Sequence, residues 1–325
     1  MGTKQIAAAA IVTALAAGLT ACGDDDSGGG SGGKHEIALI IGVKGDAFYG
    51  SLSCGARQAA KKLGVDLSIQ GPEKWDPSLQ TPIVNAVAAK KPDAILIAPN
   101  DDKAMYAPLK QAAAEGIEVV LVDTTLQDAS FAAAEVTSDN EAAGALAAEE
   151  VAREAGRDGS VLTVDVTPGI TTTGARVKGF QAQAKKLGFT DLGVQYTGDD
   201  PAKASSVVTS TLAKHPDLAG VFATNTLTGE GAANGLREAH KEGQVKLIGF
   251  DANPSGVEAI EKGVAQAQVV LKPLDIGYQG VVQAVNALED KPVKKKTLTG
   301  SVIANKGNLK DSQISKYLYT DSCTQ

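Results

Sequence analysis

Several apolar segments of the chain are followed by polar side chains suited to binding a hydroxyl-rich molecule. Carboxylates accept hydrogen bonds from hydroxyls, arginine donates to hydroxyl and ring oxygens, and asparagine does both. Aromatic rings beside them would cover the apolar C–H face of a sugar ring. The residues of this pattern are Asp46, Asp123, Arg176, Asn225 and Asp251, with the aromatic residues Phe48, Tyr49 and Phe250. Together they predict a site for a neutral sugar or polyol.

Helix capping is the alternative for each of these polar residues taken alone. Asp and Asn are common at the first position of helices, because their side chains accept from free backbone N–H groups. The carboxyl ends of parallel strands and the helix N-termini beyond them form the ligand crevice of open α/β sheets. Recurrence of polar residues after several strands therefore favours one shared site over a series of unrelated caps.

The elements that would carry these residues alternate regularly. Short apolar runs are separated by turns rich in Gly, Pro, Asp or Asn from Ala-rich stretches with a polar face. The predicted strands are 37–41, 65–69, 94–98, 119–122, 160–166, 192–196, 220–223, 246–250 and 267–271. The predicted helices are 47–63, 79–89, 102–115, 139–155, 173–187, 202–213, 227–241, 254–262 and 274–288. Apolar strands alternating with helices imply parallel sheets covered on both faces, so the predicted class is α/β.

This number of strand and helix units exceeds what one doubly wound core holds comfortably. The pattern divides near residues 137–139, and the second block restarts the same plan with the strand at 161–166 and a long helix at 174–187. We therefore expect two similar doubly wound parallel-sheet lobes.

The N-terminus has the features of an export signal. Lys4 precedes an uncharged apolar segment, 6–19, which is shorter than the roughly 20 residues that a membrane-spanning helix needs. Residues 19–22, Leu-Thr-Ala-Cys, resemble the lipobox of bacterial lipoproteins, in which the cysteine sulfur is lipidated and the peptide is cut before it. This predicts a signal peptide over 1–21 and lipidation of Cys22. A stray cysteine in an ordinary secretory signal is the alternative.

The segment 22–33 holds Gly, Ser and Asp with no apolar side chain to bury after Cys22, which predicts a flexible tether. The protein is therefore expected to be extracytoplasmic and lipid-anchored to the cell membrane. Thiols pair under the oxidising conditions found there. Since Cys54 and Cys323 are the only other cysteines, one disulfide between them is predicted, with two free thiols as the alternative.

Charge and composition argue against several classes of protein. With 31 Lys+Arg against 38 Asp+Glu and a net charge of −7, no basic excess exists to bind nucleic acid. Three His and three Cys leave few metal ligands or nucleophiles. In the Gly-rich run 229–235 the last interval between glycines is one residue longer than in the dinucleotide-binding motif Gly-x-Gly-x-x-Gly. The sequence also lacks P-loop and nucleophile-elbow motifs. We expect no metal, cofactor or catalytic residue, with an exported enzyme as the alternative.

Segments from both halves of the chain, in order, resemble the periplasmic sugar-binding proteins of the ribose/galactose type, the substrate-binding components of ABC importers. The resemblance runs from Lys34 to about Asn305. The matching segments are 37–42 (IALIIG), 46–52 (DAFYGSL), 93–101 (DAILIAPND), 122–123 (VD), 138–140 (SDN), 174–180 (GARVKGF), 215–217 (HPD), 221–225 (VFATN) and 248–251 (IGFD).

The resemblance implies specific roles for the candidate residues. Phe48 and Tyr49 would stack on the sugar, and hydrogen bonds to it would come from Asp46, Asp123, Arg176, Asn225 and Asp251. Three positions depart from the ribose pattern: Thr124 where Arg is frequent, Asp199 where an aromatic can stand, and Leu271 where Gln is common. Thr124 and Asp199 join the candidate ligand residues, and a pentose, a hexose and a polyol all stay open.

The resemblance also implies a fold and a mechanism. The fold is that of a type I periplasmic binding protein, with a first lobe over 34–137 plus about 272–302, a second lobe over 138–271, and a tail over 303–325 packing back on the body. Three crossovers would form a hinge, and ligand binding would close the lobes. A membrane permease would recognise the closed monomer. A sensor that presents its ligand to a membrane receptor is the alternative, whereas a repressor would need a DNA-binding module ahead of the core.

Overall fold

The computed structural model describes residues 34–319 and Cys323; the predicted signal peptide, Cys22 and the tether lie outside these residues. The first elements are β1 (Glu36–Ile40), α1 (Ala47–Leu63), β2 (Asp66–Gln70), α2 (Pro77–Ala88), β3 (Ala94–Ile97), α3 (Tyr106–Ala114), β4 (Glu118–Val122) and β5 (Ala134–Ser138). The next are α4 (Asn140–Ala155), β6 (Ser160–Asp165), α5 (Thr171–Leu187), β7 (Thr190–Tyr196), α6 (Pro201–Lys214), β8 (Leu218–Ala223), α7 (Thr226–Glu238), β9 (Lys246–Phe250), α8 (Pro254–Glu261) and β10 (Ala267–Val270). The last are α9 (Pro273–Leu288), β11 (Lys296–Thr299), β12 (Val302–Asn305) and α10 (Ser312–Ser315).

The strands form two six-stranded sheets with the same plan. The first has the order β2-β1-β3-β4-β5-β11 and the second β7-β6-β8-β9-β10-β12. All pairs are parallel except β12, which runs antiparallel to β10. The repeated order confirms two similar doubly wound α/β lobes, and it brings the carboxyl ends of β4 and β9 to equivalent places in their sheets.

The chain changes sheet three times: between β5 and α4, between β10 and α9, and between β11 and β12. The last change differs from the sequence-based expectation, which assigned 303–325 to a tail. Val302–Asn305 instead forms the edge strand β12 of the second sheet. Its apolar run, 302–304, is only three residues long and is therefore shorter than any of the predicted strands.

Strands β5 and β11 were also missed by the apolar-run criterion. In β5, Ala134, Val136 and Ser138 are buried while Glu135 and Thr137 are half-buried. In β11 only the last residue, Thr299, is buried. The two strands pair with each other at one edge of the first sheet. Strand β11 is the edge strand and β5 lies between it and β4, and at this end of the sheet polar residues interrupt the apolar runs of both strands.

Helices α4 and α5 approach closely through a pair of glycines. A Cβ atom on Gly144 would lie 1.9 Å from the carbonyl oxygen of Arg176, and one on Gly179 would lie 1.9 Å from the carbonyl oxygen of Glu141. Since these distances are far below van der Waals contact, only glycine permits this packing. The contact fixes the part of α5 that carries Arg176 against α4.

The predicted disulfide is present. Cys54 on α1 and Cys323 are joined, with their Cα atoms 5.2 Å apart, so Cys323 is held to the first lobe. Across residues 34–319, none of the helices is both long and apolar enough to cross a membrane.

Candidate functional site

A cavity lies between the lobes, where the loops that follow the strands of both sheets face each other. Eight of the ten predicted ligand residues line it: Asp46, Phe48, Tyr49, Asp123, Arg176, Asp199, Asn225 and Asp251. The first four come from the first lobe and the others from the second. Folding thus brings together residues up to about two hundred positions apart, as the strand-end pattern predicted.

Asp123 is placed by the end of β4. Its backbone has φ of 62°, in the left-handed region, which turns the chain sharply after the strand and directs the carboxylate to the cavity. The Tyr49 hydroxyl donates to its Oδ2 at 2.7 Å. Both side chains are buried, so this bond holds the carboxylate in one orientation.

Trp75, which the sequence-based search did not select, also lines the cavity. Its ring lies 6.3 Å from that of Tyr49, at an interplanar angle of 25°. Gly42 makes this arrangement possible, because a Cβ there would meet Trp75 Cζ3 at 2.3 Å and Tyr49 Oη at 2.4 Å. The indole Nε1 has no hydrogen-bond partner among the described residues. The only tryptophan in the chain, in a Gly- and Pro-containing loop after a strand, was the available signal.

Arg176 is the cation of the site and is 4% exposed. Its Nε donates to Asn140 Oδ1 at 2.9 Å, and Nη1 donates to the Thr224 carbonyl at 2.7 Å. Its guanidinium carbon lies 3.8 Å from the centre of the Phe250 ring, a cation–π contact. With two nitrogens held by the protein and the plane stacked on a ring, Nη2 is left to donate to a ligand.

Asp251 follows β9 as Asp123 follows β4. Its φ of 71° again lies in the left-handed region. The hydroxyl of Tyr319 donates to its Oδ1 at 2.8 Å. Tyr319 belongs to the last residues of the chain and was not predicted as part of the site, because nothing local in the sequence relates it to β9.

Asn225 and Asp46 combine capping with a place in the cavity wall. Asn225 Oδ1 accepts from the Thr228 backbone N–H at 3.0 Å, while its Nδ2 donates to Asp199 Oδ1 at 2.8 Å. Asp46 Oδ1 accepts from the Phe48 backbone N–H at 2.7 Å. The capping alternative and the ligand-site prediction are therefore compatible, because the Asn225 amide has a second hydrogen and the Asp46 carboxylate has further acceptor positions.

Two predicted residues do not reach the cavity. Thr124 is 2% exposed, and its hydroxyl donates to the Pro99 carbonyl at 2.8 Å, within the first lobe. Phe250 lies beneath Arg176, and it also lines a separate cavity between α7 and α8 of the second lobe. Phe250 supports the arginine and has no exposed ring face for stacking on a ligand.

The site is acidic. Burial is the main cause that raises the pKa of Asp46, Asp123 and Asp251 from 3.8 to about 6, and it also raises the pKa of Asp199. Arg176 opposes the shift at Asp123 and Asp251. Several carboxylates around one arginine suit a neutral ligand that donates hydrogen bonds, and they repel anions. In the described part of the chain, no group of three His, Cys, Asp or Glu side chains is placed to hold a metal ion.

Known proteins resemble this chain over most of its length. A family model described as a periplasmic binding protein domain matches residues 37–292. A ribose import binding protein of Bacillus subtilis is 30% identical over 269 residues, which make up 82% of this chain and 86% of that protein.

Solved structures give a similar result. An ABC transporter solute-binding protein from Agrobacterium vitis, bound with α-D-tagatopyranose, has a TM-score of 0.85 at 38% identity and covers 88% of this chain and 100% of its own. Another from the same organism, with bound D-fucose, has a TM-score of 0.82 at 30% identity and covers 87% and 100%.

Proposed function

The chain belongs to the periplasmic binding protein domain family, and from this premise we propose that it is the extracytoplasmic substrate-binding component of an ABC importer. Its ligand is a neutral monosaccharide or polyol captured between the lobes. The observation that carries the proposal is the cavity in which Asp123 and Tyr49 of one lobe face Arg176 and Asp251 of the other.

The chemistry of the cavity wall supports a hydroxyl-rich ligand. Its carboxylates accept from hydroxyls, while Arg176 donates to a hydroxyl or ring oxygen. The rings of Phe48, Tyr49 and Trp75 offer an apolar surface for C–H groups. The related proteins from Agrobacterium vitis bind α-D-tagatopyranose and D-fucose, a ketohexose and a deoxyhexose. The candidate ligands are therefore not limited to ribose.

Contacts from both lobes provide the driving force for closure. A ligand shifts an open–closed equilibrium only by its greater affinity for one form. A sugar that accepts from Arg176 and donates to Asp123 gains its full set of hydrogen bonds only when both lobes surround it. The closed monomer would then be recognised by the permease.

A ligand screen tests the proposal. Thermal unfolding of the exported domain, residues 34–325, with a panel of pentoses, hexoses and polyols should show a rise in Tm for at least one neutral sugar. Calorimetric titration then gives its Kd. Sugar phosphates and uronic acids are the matched anionic controls and should not bind. Preference for an anionic ligand, or no response to any sugar or polyol, would contradict the proposal.

The lipid anchor at Cys22 is part of the same proposal. Lipidation would hold the protein at the cell membrane beside the permease, on the tether 22–33. The Cys22→Ala variant should lose the lipid and leave the membrane fraction, with sugar affinity unchanged. Retention of this variant at the membrane to the wild-type extent, measured by fractionation and immunoblotting, would show that the anchor assignment is wrong.

A further inference from the structure

We propose that the C-terminal tail, residues 316–319 with Cys323, contributes to ligand binding. Tyr319 positions the Asp251 carboxylate for the ligand, and the Cys54–Cys323 disulfide keeps Tyr319 in place. This inference rests on the proposed function, because it assigns Asp251 to ligand binding. It adds a positioning residue and a covalent clamp that neither the strand-end pattern nor the family match assigns.

The hydrogen bonds of Tyr319 determine where its proton points. The Leu271 backbone N–H donates to the Tyr319 hydroxyl at 3.1 Å, and that hydroxyl donates to Asp251 Oδ1 at 2.8 Å. Because the backbone donor occupies an acceptor position on the hydroxyl oxygen, the hydroxyl proton is available for the carboxylate. One oxygen of Asp251 is thereby held by the protein, and Oδ2 is left to accept from the ligand.

Tyr319 also joins the two lobes. It is 3% exposed, and its backbone N–H donates to the Ala252 carbonyl of the second lobe at 2.9 Å. Its ring packs edge-to-face against Phe48 of the first lobe, with centroids 5.7 Å apart and planes at 74°. Phe48 lines the ligand cavity, so one tail residue supports a wall of the site from each lobe.

The position of Tyr319 is compatible with hinge motion. Leu271, its backbone donor, directly follows β10, where the chain crosses from the second lobe to the first. Lobes move least relative to each other at their crossovers, so a contact there persists as the cavity opens. Lys272 Nζ, 4.7 Å from the centre of the Tyr317 ring, holds the tail to the same crossover.

The disulfide determines how firmly the tail is held. Cys323 lies four positions after Tyr319 and is bonded to Cys54 on α1, the helix that also carries Phe48. It closes a separation of 269 residues. Without this bond, the hydrogen bonds and ring contacts of the tail must offset the entropy of ordering a free chain end. A tail that detaches even part of the time leaves Asp251 Oδ1 without its donor.

Removal of the hydroxyl alone provides the main test. The probes are D-tagatose, D-fucose and D-ribose. For each probe that wild type binds, Tyr319→Phe should raise the Kd about tenfold, since the Asp251 carboxylate loses its orientation. Tyr317→Phe, which removes a hydroxyl from the same tail, is the control and should bind like wild type. If wild type binds none of the three, the tightest ligand of the sugar and polyol panel replaces them, and if no member of that panel binds, the proposed function fails and this inference with it.

The pH profile separates positioning from simple stability. Burial is the main cause that raises the pKa of Asp251; Arg176 and the Tyr319 bond lower this pKa, and Asp123 raises it. Asp251 in turn raises the pKa of Asp46. These charged groups stay unchanged in Tyr319→Phe, so the pH at which affinity is half lost should move upward in that variant alone. A Kd and pH profile equal to wild type in Tyr319→Phe would overturn the positioning role.

The double variant Cys54→Ser with Cys323→Ser tests the clamp. Titrated well below its Tm, it should bind the same probe about threefold to tenfold more weakly than wild type, and mild reduction of wild type should give the same result. A lower Tm with an unchanged Kd would show that the disulfide only stabilises the fold, and would overturn this part of the inference.

Discussion

At the scale of single residues, Asp123 and Asp251 bear most directly on ligand binding. Asn keeps an acceptor for Tyr49 or Tyr319 but removes the charge, so Asp123→Asn and Asp251→Asn should each weaken sugar binding about tenfold to a hundredfold. The Tm of the free protein at pH 7.5 should stay level or rise, because burial disfavours both charges. Calorimetric titration measures the Kd, and thermal unfolding measures the Tm. Asp158→Asn, at an exposed position, is the control, and unchanged Kd values in both site variants would remove these residues from the site.

The same carboxylates predict opposite effects of pH on affinity and stability. In the folded protein the pKa of Asp46, Asp123 and Asp251 is about 6, above the ordinary value of 3.8. Their contribution to stability is therefore fully present below about pH 3.8 and is lost as pH rises through 6. Hydroxyl donation by the ligand favours the charged form, so affinity should fall as pH decreases.

Titrations and melts between pH 7.5 and pH 5 measure both effects. As the pH is lowered from 7.5 to 5, we expect both the Kd for the sugar and the Tm of the free protein to rise. Asp76, which is half-buried, and the exposed Asp128 have a pKa lowered by hydrogen bonds to Ser78 and Ser130, so their stabilising effect is lost only below the pH range of the measurement. Affinity that strengthens toward pH 5 would contradict the carboxylate assignment.

At the scale of elements, the contact between α4 and α5 positions Arg176. Gly144→Ala would place a Cβ 1.9 Å from the Arg176 carbonyl oxygen, so the helices must separate. We expect a destabilisation of about 1–3 kcal/mol, as in other overpacked interiors, together with weaker sugar binding. Gly174→Ala on α5 is the control, since its Cβ would meet no atom within 4 Å. Equal Tm and Kd values for the two variants would show that the helix contact does not matter for the site.

At the scale of the whole molecule, the stability of the closed form should depend on direct contacts between the two lobes. The Thr125 backbone N–H, after β4, donates to Thr171 Oγ1 at the start of α5 at 3.0 Å. Thr171→Ala removes this bond without changing the cavity wall, so it should raise the Kd about threefold to tenfold through faster sugar release. Stopped-flow dissociation measures the rate. Thr209→Ala on α6, where the hydroxyl bonds only within its helix, is the control. An unchanged release rate in Thr171→Ala would show that this contact does not hold the lobes closed.

The amino-acid sequence alone determined the features that depend on local pattern. Apolar runs alternating with Ala-rich helices predicted the two parallel-sheet lobes, because burial on both faces of a strand requires apolar side chains throughout it. Polar residues after those strands predicted four residues of the cavity wall, Asp46, Asp123, Asn225 and Asp251, since parallel strands end at the same edge. The disulfide followed from counting cysteines in an exported chain.

Tertiary structure alone decided which side chains reach the ligand cavity. Thr124 and Asp123 are neighbours, yet the left-handed turn at Asp123 directs one side chain to the cavity and the other to Pro99. Trp75 and Tyr319 enter the site through contacts with residues far away in the chain. Such contacts depend on how the loops and the tail pack over the finished sheets, and no local periodicity records that packing.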